Sequence, residues 1–148
     1  MILFKTFKQP IVLRLTLALL LALTLSNCID PPPYDNLDNQ QLDAMLQKNV
    51  PIYDIRRPEE WRQTGVVANS KLLTFVDAGG RVTPRFMENF TSKVGKDDPV
   101  ILICRTGNRT NVLARHLVEN MGYTQVYNVR DGITSWIRDG QPVTRPKI

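Results

Sequence analysis

Two cysteines and a single histidine are all that this 148-residue chain holds of the residues that most readily bind transition metals or pair as disulfides. Cys28, Cys104 and His116 join with no Asp or Glu into a cluster of metal-ligand spacing, so no metal centre is expected. Two cysteines also make no disulfide framework. A Cys28–Cys104 bridge is conceivable, though nothing in the spacing favours it. Internal repeats are missing, and the length is that of one domain of roughly 100–200 residues. A membrane-spanning run is missing too. Leu15 to Leu25 is almost continuously apolar, yet it falls short of the ~20 residues a bilayer requires.

That run suits the apolar core of an export signal instead. Lys5, Lys8 and Arg14 are basic with no acid near them. The run ends in Leu25-Ser26-Asn27-Cys28, which resembles the bacterial lipobox, although Asn27 stands where a smaller residue is usual. Residues 1–27 are therefore read as a signal peptide and Cys28 as a lipidation site. The expected location is the periplasmic side of a bacterial membrane. A plain signal peptide or an uncleaved anchor are the alternatives. Removing residues 1–27 takes away three bases and no acid, so a formal charge of +5 becomes +2. No basic stripe remains to recommend a nucleic-acid partner. If Cys28 is acylated, Cys104 is the mature protein's only free thiol.

Residues 28–36 contain Pro31-Pro32-Pro33 and read as a semi-rigid tether, with one domain over 37–145. Helices are expected from Leu37 to Lys48, capped by Asp38 or Asn39, in a brief turn from Pro58 to Arg62, and from Thr83-Pro84 to about Val94. Thr110 to Met121 and Ile133 to Arg138 complete the helices. Strands are expected over Val50–Ile55, Lys71–Val76, Pro99–Ile103 and Gln125–Val129, with a short extended piece at Gly65–Ala68 and a turn at Asp77–Gly80. Strands alternating with helices predict an α/β fold, a parallel central sheet flanked by helices on both faces.

Cys104 ends the most apolar strand and precedes Arg105-Thr106-Gly107-Asn108-Arg109 and a helix. In parallel sheets, ligands bind beyond the carboxyl ends of strands, where helices begin. Backbone N–H groups of such a turn can face inward, and the helix N-terminus adds partial positive charge. Gly107 permits the curl, while Arg105 and Arg109 add full charges with no acid between. All of this favours negative charge on sulfur, so Cys104 is the candidate nucleophile.

The stretch Cys104-Arg-Thr-Gly-Asn-Arg109-Thr110 resembles the active-site loop of the rhodanese-domain sulfurtransferases. "YDIRRPEEWRQTGVVANS" is similar to that family's upstream segment and "GYTQVYNVRDGITSWIRDGQPV" to its C-terminal one, so the likeness runs from about Leu37 to Val143. It implies a rhodanese-like fold and sulfur transfer through a Cys104 persulfide, from a small anionic donor such as thiosulfate to cyanide or a thiol. The loop N–H groups would hold the sulfur's charge. Arg105 would draw the donor, and Arg109 would brace the loop or bind the anion. No cofactor is implied, and a monomer is expected. Related phosphatases space Cys and Arg by five residues. Here four intervene, Thr110 occupies the phosphatase position, and the tighter ring favours sulfur. Val66 departs from a usual histidine, read as a packing difference, and Asp131-Gly132 from a Gly-Gly pair. A persulfide carrier or docking module that does not turn over is the alternative function.

By the same resemblance Asp54 and Arg56 are a supporting pair. Trp61 and Trp136 read as core anchors, His116 as a solvated surface residue, and Glu59 and Glu60 as acids suited to a helix start. Asp77 to Lys96 is taken to shape substrate access.

Overall fold

The computed structural model describes residues 31–147, so residues 1–27 (read above as a signal peptide), Cys28 (read as a lipidation site) and residues 29–30 of the stretch read as a tether lie outside the described residues. In chain order the elements are β1 (Asp35–Leu37), α1 (Asn39–Gln47), β2 (Ile52–Asp54), α2 (Pro58–Thr64) and β3 (Lys71–Leu72), then α3 (Phe86–Thr91), β4 (Val100–Ile103), α4 (Asn108–Met121), β5 (Val126–Val129) and α5 (Gly132–Arg138). The strands form one parallel sheet in the order β1-β5-β4-β2-β3. Parallel neighbours need crossovers, and the helices supply them on both faces.

Alternation along β4 divides the interior. Val100, Leu102 and Cys104 point to one face, where they pack with Phe86 and Phe90 of α3 and Leu113 and Leu117 of α4. Ile101 and Ile103 point to the other, against Leu42 of α1 and Ile133 and Trp136 of α5. Both faces of β4 are buried, which is why its sequence is continuously apolar. Each fully buried Leu or Ile there contributes about 1.5–3 kcal/mol of transfer free energy. Trp61 and Trp136 are both buried, as expected of core anchors. His116 is exposed, 3.2 Å from Asn120 Oδ1. Among the described residues no helix is long and apolar enough to cross a membrane, and no group of three metal-ligating side chains forms.

Several boundaries differ from expectation. β1 begins at Asp35, inside the stretch read as tether, and pairs with β5 in the register Leu37↔Val129. Only Leu37 of this edge strand is buried, so no alternating pattern marks it. Tyr34 is buried just ahead of it, and its hydroxyl donates to Asn111 Oδ1 of α4 at 2.5 Å. The first helix starts after Asp38, which with Gln41 forms a reciprocal capping box.

Thr83-Pro84 does not start α3. The Thr83 hydroxyl donates instead to the Thr74 carbonyl at 2.6 Å, and its N–H bonds Phe75, so Thr83 belongs to a hairpin closed by the Val76↔Val82 bridge. Arg85, with φ 60°, takes the cap position, and the helix is only six residues long. β3 is two residues long because beyond Leu72 the chain follows β2 less regularly, through Leu73 N–H to Asp54 and Phe75 N–H to Ile55. Val66, where the resemblance expects histidine, is buried and exchanges backbone hydrogen bonds with Thr144.

Candidate active site

Cys104 lies one residue past β4, at the carboxyl end of the sheet, and is 1 % exposed. It is the free cysteine among the described residues. The helix behind it starts at Asn108, two residues earlier than Thr110, because Gly107 at φ 84° already serves as its cap. A side chain at Gly107 would run into the Arg130 carbonyl, so glycine is required by space as well as by φ.

Three carbonyls of the loop are committed. Cys104 O accepts from Ile133 N–H at 2.9 Å and Arg105 O from Thr134 N–H at 3.1 Å, both donors in the first turn of α5. Gly107 O accepts from Asn111 N–H and from the Thr110 hydroxyl, each at 2.9 Å. The N–H groups are not committed. From Arg105 through Thr110 none has an acceptor among the described residues. Six successive uncommitted donors at the N-terminus of a 14-residue helix are an arrangement able to cradle an anion. The Thr110 oxygen lies 3.4 Å from Sγ. The same hydroxyl is 2.9 Å from the Gly107 carbonyl, so its proton can go to Gly107 when Sγ is a thiol or to Sγ when it is a thiolate.

Arg109 braces this arrangement. Its guanidinium makes a two-pronged bond to Glu60 of α2, Nη1 to Oε2 at 2.8 Å and Nη2 to Oε1 at 2.5 Å. The Glu60 hydrogen bond raises the Arg109 pKa against a desolvation penalty, and the charges of Glu60, Cys104 and Asp54 add in the same direction. Burial pushes the Glu60 carboxyl up. The hydrogen bonds from Arg109 and the Arg57 N–H, with the charges of both arginines, more than reverse that and hold it at about 2, against 4.5 ordinarily. A depressed carboxyl pKa stabilises the fold above the unfolded value, and that stability is lost as pH falls. The parent protein should therefore lose stability between about pH 4.5 and pH 2 as this clamp protonates. Glu60→Gln should show a smaller loss over that window, read from urea unfolding midpoints at pH 6 and pH 3. Glu60 is the site residue that the sequence leaves among helix-start acids. Its partner is 49 residues away, so no local spacing reveals it.

Asp54 and Arg56 sit below the loop, 0 % and 1 % exposed. Arg56 Nε reaches both Asp54 oxygens and Nη2 reaches Oδ2 at 2.6 Å. Its remaining donors go to Thr64 Oγ1 at 2.7 Å and to the Gly65 and Glu60 carbonyls at 2.8 and 3.3 Å. With its donors engaged this way, Arg56 fastens α2 to the sheet and so positions Glu60.

Arg105, Thr106 and Asn108 are exposed, and the Arg105 side chain has no ion-pair partner among the described residues. Asp131 is also exposed. Gly132, with φ 62°, is the indispensable member of that pair, since a Cβ would collide with the carbonyl groups of Arg105 and Cys104. Gly132→Ala should cost about 2–4 kcal/mol, from left-handed strain plus overpacking, and should reduce loop-dependent activity along with the thermal midpoint.

Comparison with known proteins shows what the chain as a whole is similar to. A sulfurtransferase of Allochromatium vinosum is 30 % identical over 115 residues, covering 76 % of this chain and 97 % of the relative. The thiosulfate sulfurtransferase GlpE of Tolumonas auensis is 28 % identical over 104 residues, 70 % of this chain and 88 % of the relative. The crystal structure of a rhodanese-related protein from Thermoplasma volcanium superposes with a TM-score of 0.59 at 26 % identity, covering 76 % of this chain and all of that one. The model of the rhodanese-like domain matches residues 38–139, and the chain belongs to that family.

Proposed function

We propose that the protein is an exported, thiosulfate-type sulfurtransferase working through a Cys104 persulfide. The observation that carries this reading is the row of six uncommitted N–H groups around a cysteine at a helix N-terminus. The Cys104 thiolate attacks the outer sulfur of thiosulfate. The S–S bond of the donor breaks, sulfite leaves with its electron pair, and a Cys104 persulfide anion remains. The cradle stabilises that charge as an oxyanion hole would. Cyanide or a thiolate then removes the outer sulfur and regenerates the Cys104 thiolate. Arg105 draws the anionic donor, while Arg109, tied to Glu60, keeps the cradle in shape.

Intact mass tests the reading. The purified protein should gain one sulfur on incubation with thiosulfate, lose it to cyanide, and form thiocyanate repeatedly. A gain that persists without turnover would instead identify a persulfide carrier. No gain would overturn the thiosulfate reading.

For the N-terminus we propose cleavage after Asn27 and lipid attachment at Cys28, on the periplasmic side. Support comes from the basic residues, the apolar run and the lipobox-like junction. Cys28→Ser should move the protein from the membrane fraction to the soluble fraction. Retention on membranes would mean an uncleaved anchor.

A further inference from the structure

Cys104 occupies the carboxyl end of the sheet, and two cavities at the amino end take no part in its chemistry. Pro51 precedes β2 and Pro99 precedes β4, which fixes the end on which they lie. The larger cavity, about 570 Å³, opens between α1 and the stretches leading into β2 and β3, with Leu46, Val50, Val67 and Trp136 on its walls. Cavities of roughly 300–1,000 Å³, mostly apolar with a few polar groups, are those of organic ligands. The smaller, about 200 Å³, lies between the start of β2 and residues 93–99. Pro51 and Lys71 line both, so the two adjoin.

Tyr53 sets the smaller cavity apart. It stands on the wall at 1 % exposure, and its hydroxyl has no hydrogen-bond partner among the described residues. A buried hydroxyl left unpaired is destabilising and calls for an explanation. Positive charge gathers at the same place. The Lys71 ammonium stands 5.3 Å from the centroid of the Tyr53 ring, and Lys93 also lines the cavity. Both lysines are exposed and have no ion-pair partner among the described residues. Asp98, the acid on this wall, already accepts from the Gly95 N–H at 2.7 Å. Two cations against one acid leave a single positive charge beside an unused donor.

We infer that the two cavities form one binding site for a small amphipathic monocarboxylate, at the end of the sheet away from Cys104. Its aliphatic body lies against Leu46, Val67 and Trp136 in the larger cavity. Its carboxylate enters the smaller one, accepts from the Tyr53 hydroxyl and offsets the charge of Lys71 and Lys93. Lys71 is held only through the ring face, so its flexible stem yields to admit the head group.

The test is equilibrium dialysis of the purified full-length protein against labelled alkanoates from butanoate to octanoate, with hexanol as the uncharged control. The Kd should fall by up to about fourfold per methylene. Hexanol should bind at least about tenfold more weakly than hexanoate. Tyr53→Phe should weaken hexanoate by about tenfold or more, while the urea midpoint of the acid-free protein holds or rises, because an unpaired hydroxyl has been removed. Lys93→Gln should weaken it by a smaller factor that shrinks as salt is added. The KM for thiosulfate should not change with octanoate present. Unaltered affinity in Tyr53→Phe would refute the inference, since the hydroxyl would then serve a water molecule. A series flat in chain length would also refute it, as would competition between octanoate and thiosulfate. None of these results bears on whether Cys104 transfers sulfur.

Discussion

Replacing Cys104 by serine should lower sulfur transfer by roughly 10⁴–10⁶-fold, the scale on which enzymes lose activity when a nucleophile is removed. Serine presents an oxygen that stays protonated at neutral pH and cannot carry a sulfane sulfur. Among the described residues no second free cysteine stands in for it. The fold should survive, because the new hydroxyl keeps the Thr110 oxygen as a hydrogen-bond partner, and the unfolding free energy should move by about 1 kcal/mol or less. Thiocyanate formation and urea unfolding, measured on the same preparation, separate the two effects. Retained turnover would sink the persulfide mechanism. Lost turnover with a collapsed midpoint would mean that the cysteine is chiefly a packing residue.

The largest stability effect is expected from Arg56→Ala. Removing the guanidinium strands the Asp54 carboxylate at 0 % exposure, and an uncompensated buried charge costs about 3–5 kcal/mol. The Thr64 hydroxyl and the Gly65 carbonyl would also lose their donor at the end of α2. Lysine keeps the charge but not the fork that bonds Asp54 while reaching Thr64 and Gly65, so Arg56→Lys should recover only part of the loss. Asp54→Ala combined with Arg56→Ala should be less destabilising than Arg56→Ala alone, since no bare charge is left. Urea unfolding followed by the fluorescence of Trp61 and Trp136 measures all three variants. Equal loss in the single and double variants would show that the hydrogen bonds to α2, rather than the stranded charge, dominate.

What the sequence makes legible follows from the range of the interactions concerned. β4 and α4 are plain because β4 is buried on both faces and α4 keeps Leu113, Ala114 and Leu117 on one. Cys104, Gly107 and the helix after them lie within a few residues of one another, so their joint geometry can be read along the chain. Glu60 cannot be read this way. One of its oxygens already takes the Arg57 N–H in a local cap, and its second role depends on a crossover that brings α2 over the loop. β1 fails for a different reason: an edge strand of three residues with one buried side chain carries no period to detect. The start of α3 misleads because Thr-Pro is a good local cap, while the hairpin claims Thr83 first. The role of Gly132 becomes clear only from the carbonyls pressed against it, which come from the loop after the neighbouring strand β4, distant in sequence.

Cys104 continues the alternation of Val100 and Leu102, so its sulfur is rooted in the same cluster as Phe86, Leu113 and Leu117. A side chain held there has surrendered its rotational freedom during folding, before any donor arrives. Under the proposed mechanism, the entropy of aiming the sulfur is therefore lost during folding and is absent from each turnover. Empty and loaded proteins can then share one sulfur position, and binding is left with the narrower task of bringing the donor in line with it.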